Sequence, residues 1–457
     1  MIFTNGQLNA IEVVGNFINS KYVYEDNDIL TLTGPAGSGK STIVKEIIRK
    51  STIRNVAVSA PTHQAKTVIN RMTGYPGETI QALLGLRPNV NMEDFDPTNV
   101  MFMPQGQERI SKYNLVIIDE CSMIGDYINK LIKKLSKEYK VKILFIGDRY
   151  QLPPVEKDKS EFSISPTFRN YPQVALTEIV RQADSNPVNE LIYTATQDVI
   201  NGTDKFLPMV MRIEDTFNDK GEGYLLRRGQ DYIEEILMHY RAPEAHLDPY
   251  DTKLLAFDNI TVSNVNAFLR KQLITSNELI APGDIIKGYN TVGEETDTPP
   301  YYSSHIRNSE DYIIKNVIIK EVKVLKNYYK VYECTVVGSG HTLTLLHPDS
   351  KADFELELVL RHTNGVQFRA WKPFYDFKNK LLINYEVFNN YNDKVAKKDF
   401  DYGYCQTTHK SQGSTYNNVG IYIPSFRKCY HPFTRRSLLY VAASRTSKTL
   451  LFYDNDK

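Results

Sequence analysis

Residues 34–41 read GPAGSGKS, directly after the apolar run ILTLT (29–33) and directly before a segment in which Ile43 and Ile47 share a helical face. A strand, a glycine-rich turn and a helix in that order leave the chain little freedom. The turn must curl until its amide N–H groups converge, and the next helix presents its positive dipole end to the same point. Such a cradle takes phosphate. Gly34, Pro35, Ala36, Gly37, Ser38, Gly39, Lys40, Ser41 and the adjoining Thr42 are therefore expected to hold ATP. Lys40 would reach the β- and γ-phosphates, and the Ser41 hydroxyl would hold Mg2+.

The surrounding pattern supplies the sheet that such a turn needs. VAVSA (56–60), LVIID (115–119) and KILFIG (142–147) are continuous apolar runs. Leu8, Ile11, Val14 and Ile18 mark a first helical face, and Ile124, Ile128, Leu131 and Leu135 mark another between the last two runs. Apolar strands alternating with amphipathic helices indicate a parallel sheet covered on both faces. LVIID ends in Asp119 and is followed by Glu120, an acidic pair at the end of a buried strand, where such a sheet binds its ligand. Asp119 is expected to hold Mg2+ and Glu120 to orient or deprotonate the attacking water. In GDRYQLPPV (147–155), Gln151 has two readings: a neutral sensor of the γ-phosphate, or part of a loop stiffened by Pro153 and Pro154.

A second set of strands follows at KLLAF (253–257), VGIYI (419–423) and TLLFY (449–453), with helical patterns over 262–273 and 435–443. Between roughly 286 and 400 the chain turns rich in Val, Ile and Tyr, which predicts a β-rich domain inserted into the second α/β domain. With 457 residues, 41% of them apolar, the chain can bury several cores. It has no apolar stretch long enough to span a membrane and no secretory signal pattern. Its four cysteines stand far apart, which fits a reducing cytoplasm (a host's, for a viral chain). The net charge of +1 excludes strand binding by a broadly basic surface, so any such contact must lie in a local groove. Lys133-Lys134 and Lys397-Lys398 read as solvated faces.

GPAGSGKS, APTHQAK, VIIDECSM, GDRYQLPPV, TTHKSQGST and LYVAASRTS occur in that order, and the set resembles superfamily 1 helicases, in particular the RecD-like superfamily 1B branch. The resemblance covers nearly the whole chain and is weakest in the β-rich insertion. It implies two RecA-like P-loop domains, with ATP in the cleft between them, a small inserted hairpin (the pin) and an inserted β-rich, SH3-like domain. The expected division is 1–85 with 113–180, the pin at 86–112, 181–285 with 401–457, and the β-rich insertion at 286–400. Arg181 and Arg445 match the arginines that reach the γ-phosphate, and an arginine approaching from a second domain stabilises transition-state charge only when the cleft closes. Gln7 matches an adenine-reading glutamine. The run Thr4-Asn5-Gly6-Gln7 equally fits a capping box, with Gln7 reaching back to Thr4.

The resemblance also implies a strand-binding face. Pro61, Thr62 and His63 lie on it, with Thr79 and Gln81 nearby, and the second domain contributes Thr407, Thr408, His409, Lys410, Gln412, Gly413 and Ser414. Short hydroxyls and backbone amides suit phosphate contacts that ignore sequence. Phe102 matches the tip region of the pin, where it would stack on the end base pair, or else it fills a small hairpin core. The function expected is an ATP-dependent DNA helicase that moves 5′-to-3′ on single-stranded DNA and opens a duplex fork, as a monomer, with single-stranded-DNA-binding or replication proteins as possible company. An RNA helicase and a non-translocating nucleotide switch or loader are the alternatives.

Overall fold

A computed structural model of the chain describes residues 3–50, 53–61, 77–88, 102–104, 108–154, 164–178, 185–295 and 302–454. The first sheet has the spatial order Gly77–Thr79, Val56–Ala60, Leu115–Ile118, Lys142–Gly147, Ile29–Thr33, Gln173–Ala175. Every neighbouring pair is parallel. Successive side chains of a strand point to opposite faces, and the packing follows that rule. Leu30, Leu32, Leu115, Ile117, Leu144 and Ile146 pack with the helices Asn5–Asn19 and Lys40–Lys50. Ile29, Val116, Ile118, Ile143 and Phe145 pack on the other face with the helix Asp126–Tyr139. The first helix is rotated from the expected face. Its buried stripe is Gln7, Ala10, Val14, Phe17 and Ile18, while Leu8 is 51% exposed.

The second sheet runs Cys405–Thr407, Thr252–Ala256, Tyr416–Tyr422, Thr446–Asp454, Gly223–Arg228, Thr216–Phe217. It is parallel except for its last, edge pair. Helices Val188–Asn201 and Pro432–Ala443 cover one face and Gly229–Arg241 and Asn259–Leu273 the other. The fold is thus α/β, with two RecA-like sheets and inserted elements.

The largest insertion carries an antiparallel sheet of Thr342–Leu346, Asn327–Val336, Asp311–Val324, Ile285–Gly288 and Phe400–Tyr402. It also holds two helices, Lys351–Phe368 and Lys372–Lys378, beyond the strands that its Val, Ile and Tyr content announced. Phe354, Leu358, His362 and Gly365 are the buried stripe of the longer helix, at helical spacing. The smaller insertion has Leu86–Pro88 paired antiparallel with Phe102–Pro104, so that Phe102 stands opposite Pro88. The side chain of Phe102 and the residues between these strands lie outside the described residues. Among the described residues no helix is long and apolar enough to cross a membrane.

Candidate nucleotide cleft and strand interface

Parallel strands bring their C-terminal ends to one edge, and the first sheet uses that edge for its polar residues. The phosphate loop leaves Thr33, Pro61 follows Ala60, Asp119 follows Ile118 and Asp148 follows Gly147. Gly37 and Gly39 have φ of 80° and 86°, which gives the loop its curl. A Cβ at Gly39 would stand 2.6 Å from Gln7 Nε2, so only glycine fits there without displacing that amide. Lys40 Nζ donates to the carbonyls of Gly34 and Pro35 at 2.7 and 2.9 Å. Ser41 and Thr42 follow in the first turn of the helix, half-buried.

Gln7 has both of its amide atoms engaged. Its Oε1 accepts from Thr4 N–H in a complete capping box, and Nε2 donates to Ser38 O at 3.1 Å. The side chain therefore braces the phosphate loop against the first helix.

Asp119 and Glu120 line the cleft. The Glu120 amide donates to Asp119 Oδ1 at 2.9 Å, and Glu120 itself sits in the left-handed region at φ 51°. A non-glycine residue held there is strained, a cost that surrounding structure must offset. Burial raises the Asp119 carboxyl, against the Glu120 amide and Lys40. Burial, then the Asp119 charge, pushes Glu120 up to about 7, with Arg445 and Lys40 acting the other way. Asp148 is raised by burial as well, opposed by Lys40, the Tyr440 hydroxyl, the Tyr150 amide and Arg445. The positive charge of Arg445 thus reaches Glu120 and Asp148 from the second domain.

Arg445 is 5% exposed and donates to Val441 O, Ser414 O and Ser444 Oγ within its own domain. Gln151 is buried, and its Oε1 has no hydrogen-bond partner among the described residues. Next to it, Leu152 packs into the second domain's core with Leu255, Tyr416 and Tyr440. Gln412 Nε2 donates to Leu152 O at 3.4 Å, which places Gln412 on the seam between the domains. Arg181 lies outside the described residues.

On the strand side, Thr62 and His63 also lie outside the described residues, while Pro61 is half-buried. Thr79 caps a short helix, accepting from Ala82 N–H at 3.3 Å, and Gln81 is half-buried in that helix. Thr407 ends a strand, and Thr408 to Ser411 form one 3-10 turn. Thr408 and Ser414 are buried, His409, Lys410 and Gly413 half-buried. Lys410 Nζ lies 3.2 Å from the centre of the Tyr289 ring, and Lys398 Nζ lies 4.5 Å from the same ring. Burial, with Lys287 and Lys398 nearby, lowers Lys410 to about 7. Lys398 pairs with Asp401 and is 28% exposed, so it is not the fully solvated lysine that its sequence run suggested.

Three residues here had no signal of their own in the chain: Asp148, Tyr440 and Tyr289. Asp148 shares the GDRYQLPPV run with the more conspicuous Gln151, and the two tyrosines are among 30.

An AAA-domain profile matches residues 19–205 and a UvrD-like helicase C-terminal domain profile matches 402–453. The ATP-dependent DNA helicase dda of Enterobacteria phage T4 is 30% identical over 472 residues, covering 97% of each chain. The ATP-dependent DNA helicase Pif1 of Campylobacter jejuni is 28% identical over 443 residues, covering 94% of this chain and 90% of its own. Among solved structures, Bacteroides Pif1 helicase in complex with ADP-AlF3 and single-stranded DNA is 18% identical with a TM-score of 0.49, covering 99% of this chain and 92% of that one.

Proposed function

The chain belongs to the superfamily 1B DNA helicases, the family of phage T4 dda, and from that premise we propose a division of labour among its residues. It is an ATP-dependent DNA helicase. ATP occupies the cleft between the two parallel sheets, cradled by residues 34–42. Lys40 binds the β- and γ-phosphates, Glu120 takes the proton of the attacking water, and Gln151 reads the γ-phosphate. Arg445 and Arg181 steady the charge that develops on the transferred group. The Ser41 hydroxyl and the Asp119 carboxylate are hard oxygen donors that suit Mg2+, and they would hold it. Bound there, the ion would neutralise phosphate charge.

The observation that carries this reading is the meeting of opposite charges across the seam. Lys40, Asp119, Glu120 and Asp148 belong to the first domain, and the charge of Arg445 from the second opposes the burial that raises Glu120 and Asp148. Closing the cleft around ATP and opening it after hydrolysis would move the strand-binding residues of the two domains together and then apart. Pro61, Thr62, His63, Thr79 and Gln81 grip from one side, and the Thr407–Ser414 run grips from the other. The protein moves 5′-to-3′ as a monomer in the cytoplasm, and Phe102 meets the fork.

The test is nucleotide turnover by the purified full chain, alone and with single-stranded DNA or RNA of equal length. Strong stimulation by DNA is expected. No stimulation by either polymer refutes the motor, and stimulation by RNA alone replaces the substrate. Unwinding of forks tailed on one strand only then reads the polarity.

A further inference from the structure

We propose that Tyr440 is a positioning residue that couples the nucleotide state to the strand grip, acting through Asp148. The inference rests on the helicase reading above and adds a part to it. Tyr440 lies on the helix Pro432–Ala443 of the second domain and is fully buried. Both partners of its hydroxyl belong to the first domain. The oxygen accepts from the Ala36 N–H of the phosphate loop at 2.6 Å, and the O–H donates to Asp148 Oδ2. Asp148 Oδ1 in turn accepts from Tyr150 N–H at 2.9 Å.

From Asp148 the connection runs on through one short loop. The Gln151 amide donates to Asp148 O at 3.2 Å, which fixes the turn that carries Gln151 and Leu152. Leu152 O accepts from Gln412 in the strand-binding run, and Ser414 O in that run accepts from Arg445. A hydrogen-bonded circuit therefore joins the phosphate loop, the γ-phosphate loop, the arginine and the strand-binding run, and Tyr440 is the link that crosses from helix to cleft.

Packing does not explain the hydroxyl. Phenylalanine would fill the same apolar volume without placing a polar atom in a buried seam, where an unpaired hydroxyl is costly. A bond whose two ends belong to different domains has full strength in only one relative placement of those domains. It therefore contributes unequally to the closed and open cleft, and unequal contribution is what coupling between two sites requires.

The test uses the full chain and Y440F, which keeps the ring. Affinity for oligo-dT is measured without nucleotide and with a non-hydrolysable ATP analogue. The ratio of the two dissociation constants does not depend on the fraction of protein that is folded. The ratio in the variant is expected to move towards one, and strand-stimulated kcat to fall about tenfold. KM for ATP should stay within about threefold. In a cycle with D148N, the double variant should lose no more than the worse single variant, since the pair acts as one unit. A ratio and kcat equal to those of the unmodified protein overturn the proposal. So does a raised KM with kcat intact, which would make Tyr440 a nucleotide-binding residue alone. Failure of the underlying helicase reading is seen separately, as an unmodified protein whose turnover ignores the strand.

Discussion

The ammonium of Lys40 lies 2.7 Å from the carbonyl oxygen of Gly34, in the same turn that it is expected to fill with phosphate. With Pro35 O at 2.9 Å, the charge is held by neutral acceptors of its own loop. Phosphate oxygens carry charge and bind an ammonium about twice as strongly as neutral carbonyls do, so ATP can draw Lys40 away. Lys40→Ala should lower strand-stimulated ATP hydrolysis by more than about a hundredfold. Stability should change by less than about 1 kcal/mol, because Lys40 is only half-buried and water can reach the freed carbonyls. Steady-state turnover and a thermal melt measure the two effects, and substantial remaining turnover would show that the phosphate site is elsewhere.

Glu120 makes a pH prediction with a definite sign. A general base must be ionised, and burial with the Asp119 charge raises this carboxyl to about 7. Turnover at saturating strand and ATP should therefore fall as pH drops through about 7 and level off above it. Glu120→Gln should bind ATP and turn it over very slowly at every pH. A rate that stays flat from pH 6 to 8, roughly one unit either side of that ionisation, would remove Glu120 from the proton transfer.

The sheets were legible for a physical reason. Strands buried on both faces must be apolar throughout, and Leu115 to Ile118 or Lys142 to Gly147 stand out in any reading. The phosphate loop was legible because its geometry needs glycine at fixed places, Gly37 and Gly39 among them. Tyr440 was not. Its hydrogen-bond partners lie 404 and 292 residues away in the chain, and a tyrosine in an apolar helix reads as packing until its hydroxyl is placed. The helix Lys351–Phe368 was masked differently. Leu356, Leu360, Val366 and Phe368 are exposed, so apolar residues go round the helix and blur the stripe of Phe354 and Leu358. At Gln7 the capping reading describes only half of the side chain: the capping bond uses Oε1, while Nε2 donates to Ser38 O of the phosphate loop, a contact 31 residues away in the chain.

Asp311 holds the β-rich insertion to the second sheet. Its carboxylate is 3.2 Å from Lys253, on a strand of that sheet, and 3.2 Å from Lys287 on a neighbouring strand of its own. All three side chains are essentially shut off from solvent, with exposures of 0%, 0% and 1%. One carboxylate between two buried ammonium groups leaves nothing to spare, and burial already lowers Lys287 to about 8. Asp311→Asn removes the only carboxylate within salt-bridge reach of either ammonium among the described residues. The expected cost is about 3–5 kcal/mol, the usual effect of breaking a buried pair from one side. Denaturant unfolding of the full chain measures it, and a loss below about 1 kcal/mol, the range of exposed pairs, would mean that water reaches the cluster.

Lys410 should make strand affinity depend on pH in the opposite sense from the turnover. In the free protein its ammonium faces the Tyr289 ring, with Lys287 and Lys398 as like charges and Asp311 and Asp401 as the opposing ones. Burial lowers Lys410 to about 7, so much of it is neutral at pH 8. A phosphate arriving beside it favours the charged form, and binding is then linked to proton uptake. Affinity for oligo-dT should be highest below pH 7 and decline as pH rises through that range, by up to about tenfold per unit. In Lys410→Ala the overall affinity should fall and this dependence should flatten, while Tyr289→Phe keeps the ring face and should retain both. Fluorescence anisotropy at constant ionic strength is the measurement. If the alanine variant kept the full pH dependence, the proton would belong to another group, and Lys410 would not be a phosphate contact.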